Sequence, residues 1–158
     1  PQYVPVCRIT HNETSMFRNI VVISMFIALL GACSAAPGRP GADGILAPCG
    51  SLPNCVNSQS GEGDHKVEPL RATAEQWHSL KQWLREQEDW NIVVNDRVFV
   101  QAVVVSPLMR YRDDLQLLYQ PDRQLIQVRS SSRLGISDMG VNLSRVKALR
   151  FQIGESSE

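Results

Sequence analysis

Apolar side chains recur at helical spacing over residues 73–89, where Trp77, Leu80 and Leu84 stand at i, i+3 and i+7 with Trp83 beside them. His78, Lys81, Arg85 and Glu88 take the opposite side, so the segment predicts a helix with one buried stripe. Its start is marked by Thr73-Ala-Glu-Gln76, a capping box: the Thr73 hydroxyl can accept from a first-turn amide while Gln76 reaches back. The period then changes to two. Residues 90–94 lead to the turn-prone pair Asn95-Asp96, and residues 97–106 are rich in β-branched side chains until Pro107 ends them, which predicts a hairpin. In residues 112–119, Leu115, Leu117 and Tyr119 share a face. Pro121-Asp122-Arg123 is a turn, and residues 124–130 set Ile126 and Val128 against Gln127 and Arg129.

A last helix is expected over residues 142–151, with Asn142 as its N-cap and Val146, Leu149 and Phe151 on the buried side. The short connections favour antiparallel neighbours. The predicted fold is therefore α+β: a small antiparallel four-stranded meander with the helices packed on one face. Residues 56–70 read as a polar loop tied to the core by Val67 and Leu70.

The N-terminal third has a different character. Residues 1–15 show no period and precede Met16, which reads as the natural start. A weakly basic Phe17-Arg18-Asn19 and an apolar run over residues 20–30 then form a signal-peptide pattern, too short to span a bilayer. The run ends in Leu30-Gly31-Ala32-Cys33, which resembles a bacterial lipobox, so residues 16–32 are expected to be a lipoprotein signal peptide and Cys33 to be lipidated. Ser34 in place of aspartate favours the outer membrane in lipoproteins of this kind. Residues 33–48 are rich in Pro, Gly and Ala and predict a flexible tether, holding the domain about 20 Å from its anchor. The folded domain is then residues 49–152, followed by a tail over 153–158.

Charge and cysteines narrow the chemistry. With 16 basic and 16 acidic residues, nothing recommends a nucleic-acid partner. In an exported protein Cys49 and Cys55 predict a disulfide; a redox pair or half of a metal site are the alternatives, though no second cysteine pair follows. Neither a metal nor a cofactor is expected. His65, between Asp64 and Lys66, reads as a solvated imidazole or as a catalytic base.

Several of these residues fall in a joint order that resembles the bacterial and plastid family catalogued as domain of unknown function number 1499. They are Cys49, the run Pro53-Asn54-Cys55-Val56, His65, Pro69-Leu70 and Asp113-Asp114. To these are added Arg129 through Arg133, Gly135, Ser137-Asp138, Gly140 and Asn142. The similarity covers roughly residues 49–151, with two departures: Leu143 where the family usually has arginine, and Gln116 where an acidic residue is common. It implies kinship and supplies no activity.

The densest polar stretch, residues 129–145, predicts the site. Arg129, Ser130, Ser131, Ser132, Arg133, Asp138, Asn142 and Arg145 could form an anion pocket at the N-terminus of the last helix, where amides and dipole favour negative charge. The plainer reading is a structural corner, with Asp113 or Asp114 pairing Arg129 or Arg133 across strands. No GxSxG elbow is present, so a hydrolase using His65 with Asp113 or Asp114 is the alternative to a binding or scaffold role. The expected setting is the bacterial envelope, with a lipid-anchored domain in the periplasm that binds a small anion or an envelope protein.

Overall fold

The computed structural model describes residues 37–106 and 110–155, all within one unit that spans residues 34–158. The expected signal peptide, Cys33 and the end of the tail lie outside the described residues. Six strands make one antiparallel sheet: β1 (Cys55–Asn57), β2 (Leu70–Arg71), β3 (Trp90–Asn95), β4 (Phe99–Val105), β5 (Arg112–Gln120) and β6 (Leu125–Ser132). Strands β3 to β6 are the expected meander. Two short strands extend it, so the expected count of four is corrected to six. β1 and β2 lie end to end on the outer edge of β6, with Cys55 opposite Ser131 and Leu70 opposite Ile126. The polar loop expected over residues 56–70 is thus a strand, a single 3-10 turn at Gly63–His65 and a second strand. Val67 and Leu70 are buried, as expected of the anchors of that stretch.

Helix α1 (Ala74–Arg85) begins at the expected capping box: the Gln76 amide donates to Thr73 Oγ1 at 3.3 Å, and the Thr73 amide to Gln76 Oε1 at 2.8 Å. Its stripe of Trp77, Leu80 and Leu84 is buried. Trp77 stacks on Tyr119 of β5 with ring centroids 5.5 Å apart, and its indole N–H donates to the Arg97 carbonyl, so the polar edge of the ring is satisfied inside the core. Helix α2 (Val141–Gln152) buries Val146 and Leu149, and Ile153 follows them into the core. Phe151, expected inside, is 84% exposed. One helical turn separates Val146, Leu149 and Ile153 along a single stripe, and Phe151 is rotated away from it.

Both helices pack on the face carrying Val100, Ala102, Leu115, Leu117, Ile126 and Val128. The opposite face is polar along a row of paired positions, Gln101, Gln116 and Arg129, and apolar at Phe99 and Leu118. The stretch read as a tether lies along this second face from residue 37 onward. Gln101 Nε2 donates to the Pro37 carbonyl and Gln116 Nε2 to the Gly38 carbonyl, Arg39 pairs with Asp96, and Leu46 is buried against Phe99 and Leu118. A composition of Pro, Gly and Ala hides this because the strap is held through its carbonyls. Only Leu46 supplies an apolar anchor.

Strand β3 is an edge. It blunts itself with a register shift between Ile92 and Val94 and with alternating exposed side chains, which discourages further pairing.

Candidate functional site

Strand β6 runs out at Ser132 into the loop that leads to α2, and the alternation of the strand decides what that loop can assemble. Successive side chains point to opposite faces. Ser130 and Ser132 therefore stand with Asp113 on the helix side, while Arg129 and Ser131 stand with Asp114 on the other. The expected single pocket does not form from these residues. They make two clusters on opposite faces of the sheet.

On the helix side, Arg145 donates to Asp113 Oδ2 at 2.7 Å and to Ser130 Oγ and Asn142 Oδ1 at 2.7 and 2.6 Å. Both members of the Arg145–Asp113 pair are about nine-tenths buried. Asn142 is fully buried: its amide nitrogen donates to the Asn54 carbonyl and to Ser132 Oγ, and its oxygen accepts from Ser130. It is therefore inside α2 and not its cap. The cap position is Gly140, in the left-handed region at φ 79°, and Asp138 does the capping. Its carboxylate accepts from the Gly140 amide at 3.0 Å and from the Asn142 amide at 2.8 Å. The helix N-terminus that was to attract an external anion already holds a carboxylate of its own chain.

On the other face, Arg133 grips Asp114 with two bonds, Nε to Oδ2 at 2.8 Å and a terminal nitrogen to Oδ1 at 2.7 Å. This is the cross-strand pairing of the plainer reading. Arg129 is 9% exposed and donates to Ser131 Oγ at 2.7 Å. Among the described residues its Nε and the Oε1 of Gln116, the residue paired with it on β5, have no hydrogen-bond partner. Burial lowers the Arg129 pKa, and the charge of Asp114 opposes that shift only in part.

Among the described residues His65 makes no ion pair or hydrogen bond with either aspartate. Its Nδ1 is 2.9 Å from the Cys55 carbonyl, an acceptor, so in the neutral ring Nδ1 carries the proton and Nε2 is the bare acceptor. With Asp113 and Asp114 engaged by Arg145 and Arg133, the geometry does not assemble the hydrolase alternative.

What the fold does build is a cleft along α2. The segment from Gly63 to Arg71 forms one wall and α2 the other. One compartment of about 450 Å³ is lined by Pro53, Asp64, His65, Ser137 and Asp138 among others. A second, of about 670 Å³, shares Lys66 and Leu143 with it. Its rim carries Lys66, Arg71, Lys147 and Arg150 against Glu68 and Glu155, and its floor is Val67, Leu125, Leu143 and Val146. Arg150 is spent on Glu155 at 2.5 Å, and Lys66 lies 4.0 Å from Glu68. Among the described residues, Arg71 and Lys147 make no ion pair. Of the expected site residues, His65 and Asp138 line this cleft; the four cations of the rim were not foreseen. A signal was there: Leu143, Val146, Lys147 and Arg150 fall at i, i+3, i+4 and i+7, one helical stripe that mixes floor and rim.

The Cys49–Cys55 disulfide closes the loop that precedes β1, with Cα atoms 5.7 Å apart. Among the described residues no cluster of His, Cys, Asp and Glu could hold a metal ion, and no helix is long and apolar enough to cross a membrane.

An antiparallel sheet with two helices on one face, a strap on the other and a disulfide at the entry to the first strand defines a small α+β protein with a surface cleft beside its last helix. The chain belongs to the family described as protein of unknown function (DUF1499), whose model matches residues 45–153, almost the whole of the described unit. No curated protein and no solved structure matches the chain.

Proposed function

We propose that this protein is a bacterial envelope lipoprotein, acylated at Cys33 and facing the periplasm from the outer membrane, and that its domain is a binding module for an amphiphilic anion. The ligand class is a carboxylate or phosphate carried on an apolar body. One observation carries the binding reading: the cleft beside α2 sets two cations with no ion pair among the described residues, Arg71 and Lys147, over an apolar floor of Val67, Leu125, Leu143 and Val146. Such a combination binds the apolar part by area and orients the charge by the rim. The signal-peptide pattern and lipobox support the anchor, and a disulfide suits an oxidising compartment.

Thermal unfolding with a panel of acyl and aryl carboxylates and phosphates tests the module. A ligand present at about 100 times its Kd stabilises by about 2.7 kcal/mol, a rise of several degrees in Tm. That rise should vanish in the Arg71→Glu, Lys147→Glu double variant. A wild-type Tm that ignores every compound, or a rise that survives the double variant, overturns the cleft. The anchor is tested separately by Cys33→Ala, which should move the protein out of the membrane fraction or leave it uncleaved.

A further inference from the structure

Three loops meet at the end of the sheet where β5 begins and β6 finishes. The Asn54 side chain donates to the Gly135 carbonyl at 2.7 Å, the Asp138 amide to the Pro53 carbonyl at 3.5 Å, and the Arg133 amide to the Arg112 carbonyl at 3.2 Å. At this one end the molecule displays Leu52, Tyr111, Leu134, Ile136, Met139 and Val141, each roughly half exposed or more. Met139 is the extreme case. It is 95% exposed, on a backbone in the left-handed region at φ 52°, a conformation that side chains other than glycine rarely adopt. Nothing within the fold rewards a left-handed backbone that aims a large apolar side chain at solvent, so the position invites a role outside it. Beside these residues Arg110 and Arg112 are exposed.

We infer that this end of the sheet docks onto a lipid bilayer surface. The inference rests on the lipid-anchor reading above and on the length of chain left for the anchor. Pro37 and Gly38 are held at the row of Gln101 and Gln116, and four steps of strand rise, about 13 Å, lead from Gln116 to Arg112 at the apolar end. Four Cα-to-Cα steps lead from Cys33 to Pro37, a contour of at most about 14 Å. An acylated Cys33 on so short a lead keeps the domain on the membrane, and the reach suffices to bring this end to the interface. The surface suits that place: aliphatic side chains enter the acyl boundary, Tyr111 sits at headgroup level, and Arg110 and Arg112 meet anionic headgroups.

The test uses the full chain in the envelope of a Gram-negative host. A photocrosslinking benzoylphenylalanine replaces Ile136, Met139 or, as a control at the opposite end of the sheet, the exposed Asp122. Expected are phospholipid adducts at 136 and 139, identified by mass, at least tenfold above those at 122. Adducts at 136 and 139 that are only protein, whether a partner or a second copy, would overturn the inference, and so would equal lipid adducts at all three positions. The mass of the peptide bearing Cys33 reports acylation in the same samples, so loss of the anchor reading and loss of the docking reading are told apart.

Discussion

At the scale of single residues, the polar stretch before α2 is a set of buried commitments. Arg145, Asn142, Ser130 and Asp113 satisfy one another beneath the helix, and removing one member of such a buried pair leaves an uncompensated charge. Arg129 is different. Its guanidinium is buried, its Nε has no partner among the described residues, and the paired position on β5 is an amide, Gln116, where the family resemblance leads one to expect a carboxylate. Restoring the acid should give the guanidinium its counter-charge. Gln116→Glu is expected to stabilise the fold by about 1 kcal/mol, the gain of a charge-assisted bond less the bond Gln116 now donates to Gly38. Denaturant unfolding of the variant checks this; a fall in stability would mean that the buried face tolerates no second carboxylate beside Asp114.

At the scale of elements, α1 is the part written most plainly in the chain. Thr73 and Gln76 act as a reciprocal pair, so Thr73→Ala should cost about 1 kcal/mol of stability by urea unfolding. Glu75 sits in the same first turn, where hydrogen bonds from its own backbone amide and from Thr73 hold its pKa below the usual carboxylate value. A carboxyl with a depressed folded pKa adds stability that is present above its unfolded pKa and lost as pH falls through the folded value. Glu75→Gln should therefore flatten the acid side of the stability profile and leave the alkaline side unchanged.

The contrast with the missed elements is physical. A capping box, a helical stripe and an alternating strand are local, and the sequence displays them. β1 and β2 are three and two residues long and exist only because β6 offers an open edge far along the chain, which no local period records. Asn142 looked like a cap because asparagine favours that place, yet a serine, an arginine and a neighbouring carbonyl pay for its burial two positions further in. Of the cleft, His65 and Asp138 were visible as chemistry. Its walls come from two distant segments, so its shape was not.

At the scale of the whole molecule, the disulfide fixes the point where the strap joins the sheet. The closed loop is short, and the chain-entropy term gives about 2 kcal/mol. Replacing Cys49 and Cys55 together by serine should lower Tm by about 10 °C and keep the fold, and reductant should do the same to the wild-type protein. An unchanged Tm in both would show that the strap and β1 are held without it.

β6 is the strand on which the others depend: β5 lies along one edge, and both β1 and β2 lie along the other. A chain made from its N-terminus offers residues 55–57 and 70–71 long before residues 125–132 exist. Until that last strand emerges, β1 and β2 have no partner, and the meander of β3, β4 and β5 with α1 is the largest piece that can form from neighbours alone. The pairings of β1 and β2 then close last and over the longest separations in the sheet, and loop closure of that kind is slow. During synthesis the segment that carries β1 and β2 is a waiting, unpaired chain, exposed to chaperones and proteases alike.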